Sequence, residues 1–324
     1  MNPGRRKLNL ALAARLPTRL FTQLSILLPL TVSTTRSGSA LAQAQLPSVA
    51  ASSEVTRRSF KTSDGVTLSY LETAAPAKAG KLCIVLLPGW CMPASIWQAQ
   101  LPQFGARYRT FALDPRGQGE SEVPATGYTA QRRTADIKEF IDKVVPRRSR
   151  VLLVGWSLAA LESLEYVHRH GESRLAGLAL IDSSVGELPA PPGNNDPKAD
   201  SPFKRRVRNE RAAFLEEFVR AIFAKPHPPE EISAMVEGAQ RMSVDNAIAL
   251  LSMPYPREHW KEIAHAFTRP LLYVVTPQFA AQAGNLQKNR PATRIEVFRQ
   301  AGHALFADEP ERFNQLLLEF AAKL

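Results

Sequence analysis

The stretch Val151-Leu152-Leu153-Val154-Gly155-Trp156-Ser157-Leu158-Ala159-Ala160 decides the fold. A short apolar run ends at a glycine, and small and helix-forming residues follow at once, which reads as strand, sharp turn and helix. A turn of that kind strains the backbone of its tip residue and lifts the side chain clear of the sheet. The Ser157 hydroxyl would then point into open space. Gly155 and Ala159, two residues to either side, are small enough for strand and helix to approach. Taken alone, the pentapeptide carries two readings. It is a nucleophile elbow with Ala159 where a second glycine is usual, or a helix start capped by the Ser157 hydroxyl.

Apolar runs alternate with helical patterns on both sides of this stretch. Residues 81–87, 109–113, 150–154 and 175–181 read as buried strands, and 94–104, 129–144 and 158–170 as helices. Continuous apolar strands separated by helices make an α/β fold with a mostly parallel central sheet and helices on both faces. Ahead of them, Thr62-Ser63-Asp64-Gly65 lies between β-rich runs at 54–60 and 66–71, and Asp-Gly in that setting signals a hairpin. The alternation breaks at Gly186. Pro189, Pro191, Pro192, Gly193, Asn194 and Asn195 give way to helical patterns at 210–223, 229–241, 245–251 and 257–266. An insertion this long reads as a helical cap or lid between strands six and seven. Strands resume at 271–275 and 294–298, and a helix over 309–323 closes the chain. The expected core is therefore 54–185 with 270–324, and the expected cap 186–269. No internal repeat is visible.

The first 42 residues read differently. They hold Arg5, Arg6, Lys7, Arg15, Arg19 and Arg36 and no acid, then an apolar stretch from Leu20 to Val32, then Ser39-Ala40-Leu41-Ala42. A basic start, an apolar middle and small residues before Gln43 describe an export signal cleaved after Ala42, which places the mature protein in the periplasm or outside the cell. The apolar stretch is too short and too broken by Thr22, Gln23, Ser25 and Pro29 to span a bilayer, so no stable membrane insertion is expected after cleavage. Arg5-Arg6-Lys7-Leu8 is similar to a twin-arginine signal, and the choice between that route and the general one stays open. Residues 43–53 read as a flexible leader. Removing the segment's six charges from the formal +11 leaves +5. Part of that excess is the local run Lys204-Arg205-Arg206-Val207-Arg208, which no aromatic residues interleave. It reads as a solvated face, and no nucleic-acid partner is expected. The only cysteines, Cys83 and Cys91, are eight apart with no histidine beside them. Neither a structural disulfide nor a zinc site is expected from that spacing.

Three landmarks fall at the C-terminal ends of the parallel strands, where open α/β sheets bind their ligands. They are Leu87-Pro88-Gly89-Trp90, the turn at Ser157, and Ala301-Gly302-His303. A serine nucleophile needs a base, and histidine titrates in the right range. Two backbone N–H groups aimed at one point would stabilise an oxyanion. On Pro88-Gly89-Trp90, Asp114-Pro115-Arg116-Gly117-Gln118-Gly119-Glu120-Ser121, Gly155-Trp156-Ser157-Leu158-Ala159 and Gly302-His303, the chain resembles the α/β-hydrolase family over roughly residues 54–324. Within it the chain is most similar to small-ester esterases, including the pimeloyl-ester esterases, and to cofactor-free haloperoxidases.

The resemblance implies Ser157 as nucleophile, His303 as base and the N–H groups of Trp90 and Leu158 as oxyanion hole. It implies a small-molecule ester as substrate and neither metal nor organic cofactor; oligomeric state stays open. Serine at 157 argues against the relatives that use an aspartate nucleophile. The acid departs from the family pattern. The segment after 271–275 is Thr276-Pro277-Gln278-Phe279-Ala280-Ala281-Gln282, and no aspartate occurs from Asn246 to Ala307. The family's alternative acid position, at the end of the preceding strand, is occupied by Asp182, which serves either as the triad acid or as a brace for its loop.

Three functions follow as expectations: a serine hydrolase working through an acyl-enzyme, a haloperoxidase or perhydrolase using the same residues, or a non-catalytic binding protein that keeps the fold. Gly89, Cys91 and Trp156 are expected at the substrate pocket, with Trp90 and Met92 beside them and Trp97 in helix packing. Asp114 and Arg116 are expected to organise their loop, and Asp308 to cap a helix. Residues 253–256 form either a cap edge or ordinary core.

Overall fold

A computed structural model describes residues 53–76, 80–190 and 199–324. The expected export signal, and the leader up to its last residue, lie outside the described residues. The chain enters through the hairpin of β1 (Val55–Lys61) and β2 (Thr67–Thr73), which pair antiparallel. In the turn, the Thr62 hydroxyl accepts the Val66 N–H at 3.0 Å. Gly65 adopts φ +85°, a left-handed conformation that glycine takes without steric cost.

The alternating part follows as β3 (Leu82–Leu87), α1 (Leu101–Gly105), β4 (Arg109–Leu113), α2 (Ala130–Lys143), β5 (Arg150–Trp156), α3 (Leu158–His170) and β6 (Leu175–Ile181). Five helices then intervene: α4 (Pro202–Asn209), α5 (Arg211–Ala221), α6 (Pro229–Gln240), α7 (Val244–Leu250) and α8 (Arg257–Ala266). The core resumes with β7 (Leu271–Val275), α9 (Ala280–Asn289), β8 (Arg294–Val297), α10 (Leu305–Asp308) and α11 (Pro310–Ala321). Among the described residues one eight-stranded sheet runs in the order β1-β2-β4-β3-β5-β6-β7-β8. The pairings of β1 with β2 and of β2 with β4 are antiparallel, and all the others are parallel.

This topology follows from where apolar side chains can hide. Every residue of β6 and of β7 is buried, so both faces of these strands must be covered. Phe140 of α2 packs on Phe60, Tyr70 and Phe111 of the sheet, while Trp97 stacks on Phe306 at 3.9 Å between ring centroids. Parallel strands all end on one edge. The loops after β3, β5, β6 and β8 are therefore brought together there.

Some local readings change. The helix expected over 94–104 divides into a single 3-10 turn at Ala94–Trp97 and α1, because Pro102 lacks the N–H needed to continue a helix and instead sits in the first turn of a new one. The last helix, expected over 309–323, runs as α11 with Pro310 at its first position, and the short α10 ahead of it was not expected. The basic run at 204–208 is not a plain solvated face but part of α4. Ser201 caps that helix by accepting the Lys204 N–H at 3.2 Å, and Val207 is fully buried while Arg206 and Arg208 pair with Glu217 and Asp200. Helix α9, absent from the sequence reading, has Gly284 at its centre and only a weak apolar stripe.

Candidate active site

β5 ends at Trp156 and α3 begins at Leu158, which leaves Ser157 alone at the tip with φ 57° and ψ −121°. Its backbone is held from both sides: its N–H donates to the Ile181 carbonyl at 2.9 Å, and its carbonyl accepts the Ala160 N–H at 3.0 Å. A Cβ on Gly155 would stand 2.3 Å from the Ala159 carbonyl oxygen, so strand and helix approach this closely only over a glycine. The Ala159 methyl is fully buried and accommodated. The Ser157 side chain makes no capping bond. Its Oγ lies 2.8 Å from His303 Nε2 instead.

His303 is held by its neighbours' backbone. Gly302 donates its N–H to Asp308 Oδ2 at 2.7 Å, Ala304 donates to the Ile222 carbonyl at 2.8 Å, and Trp156 Nε1 donates to the His303 carbonyl at 2.8 Å. The ring's other nitrogen, Nδ1, lies 2.8 Å from Asp182 Oδ2. An ionised carboxylate only accepts, so this contact places the imidazole proton on Nδ1 and leaves Nε2 to accept from the serine hydroxyl.

Asp182 follows the last residue of β6 at φ 43° and is 2% exposed. Its N–H donates to the Val274 carbonyl at 2.8 Å, and its Oδ1 accepts the Thr276 N–H at 2.7 Å. Tyr273 donates its hydroxyl to the next carbonyl, that of Ser183, at 2.6 Å. Among the described residues the non-glycine positions with positive φ are Cys91, Ser157 and Asp182. Each lies beyond the C-terminal end of a core strand, which is where strain is stored when a site over-determines its backbone.

On the other side of Ser157 lies the loop after β3. A Cβ on Gly89 would stand 3.0 Å from Ser157 Cβ and 3.2 Å from the Trp156 ring, so only glycine fits without displacement. The Gly89 carbonyl accepts Gln118 Nε2 at 2.9 Å and the Met92 N–H at 3.2 Å, and Gln118 Nε2 also reaches the Met92 carbonyl at 2.8 Å. In a trans peptide the C=O and N–H point in opposite directions. Pinning the Gly89 carbonyl therefore aims the Trp90 N–H away from Gln118. Leu158, as the first residue of α3, has an N–H with no acceptor inside its own helix. The Trp90 ring is fixed by its Nε1 donating to the Ala247 carbonyl at 2.8 Å and by edge contacts with Phe203 and Phe218.

Above Ser157 opens a cavity of about 470 Å³. Trp90, Leu158 and His303 line it, with Met253 and Tyr255 from the segment before α8. Gly89, Cys91 and Trp156 do not line it, contrary to expectation. Gly89 has no side chain to offer and abuts Ser157; Trp156 is 1% exposed and lies under His303. Cys91 and Met92 are buried in the loop core, and burial pushes the Cys91 thiol up to about 12. Both cysteines are free. Trp97 packs as helix core.

Asp114 accepts the Ala94 N–H at 2.6 Å and pairs with Arg57, while Arg116 pairs with Asp136 and Asp64, so both organise their loop. Asp308 does not cap a helix start. It sits at the end of α10, and its carboxylate accepts the N–H groups of Gly302, Ala224 and Lys225. Three supporting residues were missed in the sequence: Gln118, Thr276 and, in this role, Asp308. Gln118 lies inside a motif already singled out, and that position was the one available signal.

Among the described residues no group of three or more His, Cys, Asp or Glu is placed to hold a metal ion, and no helix is long and apolar enough to cross a membrane. Comparison with known proteins bears on the same region. The profile described as "Alpha/beta hydrolase family" matches residues 84–316. A pimeloyl-[acyl-carrier protein] methyl ester esterase of Vibrio vulnificus is 24% identical over 262 residues, covering 74% of this chain and 94% of that protein. An esterase from Exiguobacterium antarcticum superposes with a TM-score of 0.69 at 24% identity, covering 82% of this chain and 98% of that one. A bromoperoxidase from Bacillus anthracis gives 0.68 at 21%, covering 82% and 99%.

Proposed function

The chain belongs to the alpha/beta hydrolase family, and on that premise we propose that it is a serine hydrolase of small or medium carboxylic esters. The observation that carries the reading is the unbroken chain from Ser157 Oγ through His303 to Asp182, with 2.8 Å at each link. His303 Nε2 takes the hydroxyl proton as Ser157 Oγ attacks the ester carbonyl, and Asp182 stabilises the imidazolium that forms. The oxyanion is held by the N–H groups of Trp90 and Leu158. Collapse of the tetrahedral intermediate expels the alkoxide, which takes the proton from His303 and leaves as the alcohol. The acyl-enzyme remains. Water, deprotonated by His303, attacks the acyl carbon; the acid leaves and Ser157 recovers its proton. Helices α4–α8 form the cap that shapes the substrate cavity. The esterase names of several relatives support the same chemistry.

A fluorophosphonate probe tests the reading. Its adduct is expected on Ser157, by peptide mass spectrometry, and is expected to vanish in His303→Ala. Absence of labelling in folded protein would sink it and favour a binding protein on a hydrolase fold. Export is part of the proposal. Protein recovered from its host is expected to begin at or near Gln43, and a retained N-terminus would overturn that part alone.

A further inference from the structure

Among its described lining residues the cavity above Ser157 has the basic side chains of Lys204 and Arg257 and no carboxylate. Much of the remaining wall is apolar, including Leu161, Phe218, Met253 and Trp260. A cation facing such a wall is costly unless an anion compensates it.

Arg257, the first residue of α8, is half-buried. Its hydrogen bonds go to two neutral oxygens, Ser184 Oγ at 3.3 Å and the Glu187 carbonyl. The side chain of Glu187, whose backbone carbonyl Arg257 touches, is engaged elsewhere, with His265 Nε2 at 2.5 Å. Among the described residues no carboxylate pairs with the Arg257 guanidinium, and a guanidinium has five N–H donors in a planar fork suited to a carboxylate. Its position is also informative. Ser184, which it touches, lies two residues beyond Asp182 and lines the same cavity as Ser157. Lys204, buried on α4, donates from Nζ to the Ala199 carbonyl at 3.2 Å, and recognition of a ligand carboxylate rests on Arg257 alone.

We propose that the substrate is an ester bearing a free carboxylate remote from the scissile bond, with that carboxylate held by Arg257. The proposal rests on the ester-hydrolase reading of Ser157. Apolar walls take the chain between the two ends, and the scissile carbonyl lies at Ser157. No further group is needed, because the arginine's missing counter-ion arrives with the substrate.

The test compares monoethyl adipate with ethyl hexanoate, in which a methyl group replaces the carboxylate. In the mature protein at low salt, kcat/KM is expected to favour the anionic ester by about tenfold, the size of one hydrogen bond to a charged group. Arg257→Gln is expected to abolish that preference, Arg257→Lys to retain part of it, and 0.5 M salt to reduce it. An Arg257 that only braces its loop would lower both esters together in Arg257→Gln and leave the ratio unchanged, which would overturn the proposal. A wild-type ratio at or below one would overturn it as well, while turnover of ethyl hexanoate with labelling of Ser157 kept the hydrolase reading intact. Neither ester cleaved and no label on Ser157 would instead remove the hydrolase reading, and this proposal with it.

Discussion

Thr276 donates its backbone N–H to Asp182 Oδ1 at 2.7 Å, so the end of β7 serves a carboxylate standing at the end of β6. With one oxygen fixed by that bond, the other has a single orientation, 2.8 Å from His303 Nδ1. The segment after β7, which holds no carboxylate from Thr276 to Gln282, supplies a backbone donor instead. Tyr273 adds a second tie from β7, through its bond to the Ser183 carbonyl. On the proposed reading the acid stands at the end of β6, and the end of β7 supports it.

Asp182→Asn tests the assignment of the acid. Asparagine keeps the shape and tolerates the positive φ of 43°. Its amide oxygen can still accept from Thr276, but its NH₂ group then faces His303 and favours the wrong tautomer. A loss of about 10²–10⁴ in kcat is expected with the thermal midpoint nearly unchanged. Activity within threefold of wild type, measured on a p-nitrophenyl ester, would remove Asp182 from the triad.

Gln118→Leu tests how the oxyanion donor is aimed. Leucine removes both bonds from Nε2, to the Gly89 and Met92 carbonyls, and frees the peptide whose N–H belongs to Trp90. A full donor deletion costs about 10²–10³ in kcat, so misaiming one donor is expected to cost about 10–100-fold. The loss should fall on kcat and on affinity for a trifluoromethyl ketone by the same factor, with KM held. Equal losses in KM alone would place Gln118 in ground-state binding.

What was legible in the sequence was encoded locally. Gly155, Ser157 and the apolar run before them specify strand, turn and helix within ten residues, and the bounds of α3 and of β4, β6 and β7 follow from similarly dense apolar patterns. His303 and Asp182 were legible as candidates because each follows a recognisable strand segment, and the family resemblance suggested the role of each. Thr276 was invisible because it acts through a backbone N–H, which every residue but proline has. Gln118 was read with its motif, but its partners lie 29 and 26 residues away in the loop after β3. The pocket residues were misread for a related reason. Nearness in sequence to Trp90 and Ser157 does not tell which side of the loop a side chain takes, and Cys91 and Trp156 point inward.

Asp308 was also misread, and its variant has a distinct outcome. Its carboxylate joins Gly302, beside the base, to Ala224 and Lys225 in the link between α5 and α6. Asp308→Ala leaves three backbone N–H groups without that acceptor. A stability loss of about 2–4 kcal/mol is expected, together with lower kcat as His303 loses its anchor. Denaturant titration and ester turnover measure the two effects. A variant with wild-type stability would show that water replaces the carboxylate without cost.

The pH dependence of stability has a local test in Glu139. Desolvation pushes this carboxyl up, but hydrogen bonds from Lys143, Arg132 and Ser63 outweigh it and hold the group at about 2 against an ordinary 4.5. The Ser63 bonds tie α2 to the turn between β1 and β2, its N–H donating at 2.6 Å and its hydroxyl at 2.7 Å, while Lys143 Nζ donates at 2.8 Å from within α2. A folded-state value below the unfolded one means that the unfolded chain binds the proton first as pH falls. The stabilisation is therefore complete above about 4.5 and is lost as pH falls towards about 2. Glu139→Gln is expected to be less stable than wild type at pH 7, with the gap closing across that window. Urea midpoints for the two proteins at pH 7, 4 and 2.5 measure it. A gap of constant size at all three would mean that the glutamine loses packing or hydrogen bonds and that the charge of Glu139 contributes nothing.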